Sequence, residues 1–191
     1  MTTFDFGLGP VLAHKHKNGG GWVADSAYVA DSAYIGPDAR VYGDARVSGH
    51  ARLFGSAHVG GSAHVTDNAR VYGNAYVTGN ARVAGNARVY GVAWVAGEAR
   101  VSGEARVSGE AHVACNAQVI GKCSISPLCI TGYEYPITVC DDLIRVGCQS
   151  GTLADWATKH TEPCPKMHAD RDILLLLASA HLQRVADSAK L

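Results

Sequence analysis

From Val23 to Ile125 an aliphatic residue returns at every sixth position, eighteen times in succession. Ala stands two residues before each aliphatic from Ala27 to Ala117, and Gly, Asp or Pro stands two residues after nearly all of them. A period of six fits neither an amphipathic helix, which needs about 3.6, nor a lone strand, which needs 2. A short strand followed by a corner does fit. In Ala-Arg-Val-Tyr-Gly-Asn the Val points inward, its Arg and Tyr neighbours point outward, and Gly-Asn or Gly-Asp supplies the positive φ of a sharp bend. Three such units make one triangular coil, so residues eighteen apart lie one above another. Six coils at about 4.8 Å each form a prism roughly 29 Å long.

This pattern resembles the hexapeptide-repeat family of left-handed parallel β-helices. Ile35-Gly36-Pro37-Asp38-Ala39-Arg40 is nearly that family's consensus, and the resemblance covers residues 22 to 125. The left hand is what the resemblance implies, since spacing sets the period and not the hand. It also implies a homotrimer, because relatives are commonly trimers with C-terminal helices. A nearer likeness is to phage and prophage hexapeptide-repeat proteins. It rests on Gly20-Gly21-Trp22-Val23, on the Asn/Asp-Ala-Arg-Val-Tyr-Gly units, and on a tail running from Ile130-Thr131-Gly132 through Ile144-Arg145-Val146-Gly147-Cys148 to Thr152 and Trp156. Those tails often carry a His before the Thr, where this chain has Gly151.

The repeat divides the chain in three: a lead-in at 1–21 that covers the first coil, the β-helix at 22–125, and a small α+β cap at 126–191 that ends in a helix. Open solenoid ends expose unpaired backbone and apolar core, so atypical segments must close them. In the cap, Ile130-Thr131-Gly132, Ile137-Thr138-Val139 and Leu143-Ile144-Arg145-Val146 read as strands, the last two a hairpin through Asp141-Asp142. Thr152 and Asp155 form a capping box for a short helix carrying Trp156. A second helix is expected over 170–189, with Leu174, Leu177, Ala178, Leu182, Val185 and Ala189 on one face and Ile173, Leu176 and Ala180 widening the stripe.

Seventeen basic and seventeen acidic residues give zero net charge, so bulk charge does not argue for nucleic acid or membrane partners. No apolar stretch of signal-peptide length opens the chain, and the longest apolar run, Ile173 to Ala178, is too short to span a bilayer. A cytoplasmic protein with reduced thiols is the expectation.

Sorting residues by eighteen exposes the main candidate site. Arg52, Arg70, Arg88 and Arg106 stand in one vertical row, begun one coil earlier by Tyr34, with Phe54, Tyr72 and Tyr90 in a second row beside it. Stacked guanidinium groups repel one another and favour an anion or a partner carboxylate; together with aromatic rings they suit phosphates, bases or an acidic protein surface. Solvated arginine stems and a self-association interface are the other readings of this face. Glu98, Glu104 and Glu110 are placed to neutralise Arg88, Arg100 and Arg106.

Catalysis has weaker support. Many proteins of this fold are acyltransferases, which use an intersubunit His and usually a loop extruded from the coil, but all eighteen hexads here run on without insertion. His58, His64 and His112 occupy outward slots as candidate general bases. The carbonic anhydrases of this fold hold zinc with three His, yet His58 and His64 fall on adjacent faces and His58 and His112 three coils apart. In the tail Cys129, Cys140, Cys148, His160, Cys164 and His168 lack a recognised zinc spacing. No cofactor and no metal is expected. The leading reading is a non-catalytic phage-type interaction protein that binds a host macromolecule or an anionic, nucleotide-like ligand, as a counter-defence inhibitor such as an anti-CRISPR or a nucleotide sponge. An acyltransferase-like enzyme and a virion-associated spacer are the alternatives. Tyr76 and Trp94, one coil apart on another face, are further exposed aromatics.

Overall fold

The computed structural model describes residues 2–123, 127–130, 137–140, 143–146 and 149–158, with 176, 179–181, 183 and 186–187 near the C-terminus. Each hexad forms a strand of about two residues, an outward residue followed by the inward aliphatic, as in Arg46–Val47 and Tyr76–Val77. Parallel pairing joins Tyr76 to His58 and Trp94, His64 to Arg46 and Arg82, and Arg70 to Arg52 and Arg88, a step of eighteen on all three faces. The chain is thus an all-β parallel solenoid of about six turns. Its rungs are tied by bonds of one sense, such as Arg46 N–H donating to Ala63 O at 2.8 Å and Ser48 N–H to Val65 O at 2.9 Å.

The core explains the Ala-x-Val spacing. Alanines from Ala33 to Ala105 and aliphatics from Ile35 to Val119 are fully buried, and only small and β-branched groups fill so narrow an interior without strain. Val29 and Ala27, in the first coil, are partly open. Corners stack as strictly as strands: Asn80 N–H donates to Gly97 O at 2.7 Å, and Asn74 N–H to Gly91 O at 2.7 Å. Among the described residues Asp67 and Cys115 are the non-glycine residues at positive φ (59° and 56°), and both occupy the corner slot that Gly fills elsewhere.

The lead-in holds more structure than its broken period announces. Strands β1 (Thr3–Asp5) and β2 (Pro10–Lys15) form an antiparallel hairpin that extends the first face through Trp22–Ala24. Residues 16–21 then fold over the end of the prism, where buried His16 meets Ala33 O through Nε2 at 3.2 Å and Asn18 Nδ2 donates to the same carbonyl at 3.0 Å. The Gly19-Gly20-Gly21 run allows that approach: a Cβ on Gly19 or Gly21 would lie 2.3 Å from the carbonyl oxygen of Ile35 or Gly36.

Beyond the coils, Leu128–Ile130, Ile137–Cys140, Leu143–Val146 and Gln149–Thr152 form an antiparallel meander. The expected hairpin is therefore two strands of a four-stranded sheet. Its last strand, Gln149–Thr152, lacks the apolar alternation that marks strands in sequence. Cys140 joins the solenoid core. The helix Leu153–Thr158 begins with the expected box: Asp155 N–H donates to Thr152 Oγ1 at 3.2 Å, while Thr152 N–H donates to Asp155 Oδ2 at 3.0 Å. Buried Trp156 donates from Nε1 to Ile144 O at 3.1 Å.

Of the expected second helix, residues 176, 179–181, 183 and 186–187 are helical. Leu176 and Ala180, read as widening its apolar stripe, are exposed, and His181 is buried instead. The stripe residues Leu174, Leu177, Ala178, Leu182, Val185 and Ala189 lie outside the described residues.

Candidate functional site

Each strand presents two outward slots, one before and one after the buried aliphatic, and the register turns these slots into columns. On the third face Arg52, Arg70, Arg88 and Arg106 pair in direct succession. The Arg52 guanidinium lies over the Tyr34 ring at 5.5 Å. Guanidinium groups spaced as their strands are, about 4.8 Å, would repel by roughly 0.9 kcal/mol per pair in water. Among the described residues the ion pairs are His14–Asp25 at 2.9 Å and Lys17–Asp31 at 2.6 Å, both at the N-terminal end, and neither involves an arginine. Among the described residues Glu98, Glu104 and Glu110 form no ion pair with Arg88, Arg100 or Arg106, the pairing expected from sequence.

Beside this row the second column is tightly stacked. Phe54 and Tyr72 lie 4.7 Å apart at 6°, and Tyr72 and Tyr90 4.9 Å apart at 2°. Ring faces in such a stack cover one another, leaving edges to solvent. All three side chains are half-buried.

The imidazoles do not assemble a catalytic centre within one chain. His64 belongs to the second face, while His58 and His112 belong to the first with Tyr76 and Trp94 between them. Among the described residues no three His, Cys, Asp or Glu side chains are grouped to hold a metal ion. Cys148, His160, Cys164 and His168 lie outside the described residues. On the second face Ser62, His64, Asn80, Arg82, Glu98 and Arg100, from three successive coils, line a polar groove of about 340 Å³.

Tyr76 and Trp94 stand in the column that the eighteen-residue spacing places on this face, from Trp22 and Arg40 through His58 to His112. His58 and Tyr76 rings lie 4.6 Å apart at 35°, Tyr76 and Trp94 6.1 Å apart at 41°, and Trp94 and His112 5.7 Å apart at 40°. The N-terminal hairpin covers the start of the same face, with Phe4 stacked on Trp22 at 4.5 Å and Phe6 5.5 Å from Tyr42. The signal was present in the eighteen-residue sorting. The rungs of this column differ in chemistry, whereas the arginine row repeats, so the ring contacts between them are visible only in the structure.

Burial between Tyr42 and Tyr76, and then the positive charge of Arg40, hold the His58 imidazole below its ordinary value of 6.5. Between the folded value and 6.5 the unfolded chain binds a proton that the folded chain refuses. This group's contribution to stability is therefore fully present above pH 6.5 and is lost as pH falls through the window below it. In thermal melts between pH 7 and 5, His58→Gln is expected to flatten the decline of Tm, and a profile with unchanged slope would refute this assignment.

A family model described as YdcK beta solenoid repeat matches residues 39–53 and 69–85, both within the arginine-bearing coils. No curated protein and no solved structure shows a significant match. The matched repeats and the parallel coils together support a β-solenoid repeat protein. None of its described helices is long and apolar enough to cross a membrane.

Proposed function

We propose that this chain is a non-catalytic binding scaffold whose third face captures the acidic surface of a partner macromolecule. The observation that carries this reading is the column Arg52, Arg70, Arg88 and Arg106, with which no carboxylate among the described residues forms an ion pair. A rigid row of like charges costs free energy in the free protein and loses that cost on meeting a complementary surface, which favours affinity and fast encounter. The neighbouring column narrows the class of partner. Because Phe54, Tyr72 and Tyr90 already stack on one another, a base finds no ring face open between them, and the arginines are left mainly to carboxylates or phosphates.

In its most concrete form the protein is a phage-type hexapeptide-repeat β-helix of left hand, acting as a counter-defence inhibitor in the host cytoplasm. The homotrimer that its resemblance suggests would have to pack through the second face, leaving the arginine column accessible. Capture from host lysate, quantified for wild type and for Arg70→Glu/Arg88→Glu, tests the reading, alongside titration with labelled polyglutamate at rising salt. Reversing two charges turns attraction into repulsion. Affinity is expected to fall by about 100-fold or more, with a salt dependence weaker than that of wild type. Equal capture and equal polyglutamate affinity by the variant would remove this face from the function.

A further inference from the structure

We infer that the C-terminal half of the first face is a platform for a neutral linear glycan, lying along the solenoid axis over Tyr76 and Trp94. These side chains are 39% and 47% exposed, in a chain whose other described tryptophans are half-buried or buried. Their setting differs from that of the third face. There the rings are parallel and close each other off; here successive rings are tilted by 35–41°, so part of each face looks outward. Trp94 is also held in place, with Nε1–H donating to Thr78 Oγ1 at 3.4 Å.

Charge decides what such a platform fits. From His58 onward the outward slots of this face hold His58, Gly60, Tyr76, Thr78, Trp94, Ala96, His112 and Ala114, without one Lys, Arg, Asp or Glu. Burial and Arg40 keep His58 in its uncharged form near neutral pH. A single-stranded nucleic acid requires cations that follow its phosphates, and this strip offers none. A pyranose ring is uncharged, and one of its faces carries polarised C–H groups that meet the negative face of an aromatic ring. Its hydroxyls then need polar edges, which Thr78 and His58 supply. The small residues Ala96 and Ala114 beside the rings keep the shelf flat.

The N-terminal half of the face shows the alternative to a ligand. There the chain supplies its own cover, with Phe4 on Trp22 and the Arg40 guanidinium 5.3 Å from the Phe4 ring. Among the described residues nothing equivalent lies over Tyr76 and Trp94.

This site is separate from the arginine column, so either can fail alone. The test is a glycan array of neutral linear oligosaccharides, followed by titration of cellohexaose and maltohexaose with the Trp94 indole N–H followed by NMR. Retention of at least one neutral glycan is expected, with a shift of the Trp94 signal. Trp94→Ala is expected to lose binding by about tenfold or more, the scale of removing one stacked aromatic partner, and Tyr76→Ala to weaken it. Arg46→Gln on the second face is the control and should bind as wild type. Both aromatic slots face outward and hold Arg or His in other coils, so the variants keep the fold, which circular dichroism verifies. Failure to retain any neutral glycan, or equal retention by Trp94→Ala, overturns the inference. So does a Trp94 signal that moves only with protein concentration, which would assign the strip to a second copy of the chain. A preference for oligo-dT over every neutral glycan overturns it as well.

Discussion

Val71→Asp is expected to abolish cooperative folding of the coils around it, not merely to weaken one rung. Val71 is fully buried, and its direct neighbours along the axis are Leu53 and Val89, both equally enclosed. A carboxylate there has no donor to meet, because the surrounding side chains are alanines and aliphatics and the backbone donors are committed to the next coil. It would be protonated, and even the neutral acid leaves unsatisfied polar groups in an apolar interior. Such substitutions cost about 4–5 kcal/mol, a large share of the roughly 5–15 kcal/mol that holds a domain together. A solenoid is stabilised by contacts between neighbouring coils, so loss of one coil removes an interface from each adjacent one. Urea titration is expected to show a broadened or missing transition. Hydrogen exchange should show lost protection at Leu53 and Val89 as well as at Val71. Val71→Ala, which removes only methyl groups, should cost about 2 kcal/mol and keep a single transition. Protection lost at Val71 alone would mean that the coils fold independently.

The coil geometry was legible because it depends on strictly periodic positions. Every aliphatic from Val41 to Val113 is inward, and the eighteen-residue register follows from three corners per circuit. The capping box at Thr152 and Asp155 was legible for the same reason, since it is local chemistry at fixed spacing. The hairpin Thr3–Asp5 with Pro10–Lys15 was not. Its strands are fixed by what they lie against: Phe4 on Trp22, and Phe6 and Ala13 in a cluster with Ala24. No sequence period records a contact of that kind. The strand Gln149–Thr152 is a similar case, because its pairing partner Leu143–Val146 defines it more than its own composition does.

The candidate sites divide along the same line. Columns follow from register, so Arg52, Arg70, Arg88 and Arg106 could be aligned before any coordinates. Ring orientation could not. Whether rings stack at 2–6°, as on the third face, or tilt at 35–41°, as on the first, depends on rotamers set by neighbours in the other slots. That difference gives the two faces opposite characters: one offers charge beside a closed stack, the other open rings without charge. Charge balance was equally hidden. Sequence counts balance cations with acids, while among the described residues no acid forms an ion pair with the column.

Gly79→Val is expected to cost about 3 kcal/mol or more, because the corner needs two things that a side chain takes away. The first is conformation. Gly79 has φ of +66°, where an L residue loses about 1–2 kcal/mol and a β-branched one is an outlier. The second is room. A Cβ at Gly79 would stand 2.9 Å from Gly97 N and 3.0 Å from Gly97 O, backbone atoms of the next coil. That coil cannot retreat without stretching the 2.7 Å bond from Asn80 N–H to Gly97 O. Asp67 shows how a corner tolerates a side chain: its Oδ2 accepts Gly85 N–H at 2.9 Å, a bond that valine cannot make. Gly109 separates the two costs. Its φ is +63°, yet among the described residues nothing lies within 4 Å of a Cβ built there. Chemical denaturation of Gly109→Ala should therefore report the conformational cost alone, about 1 kcal/mol. Gly79→Ala should exceed it, and Gly79→Val should exceed both. Equal losses for the two alanine variants would show that the coils give way freely at their corners, and the stacking of one corner on the next would then have no part in fixing the eighteen-residue circuit.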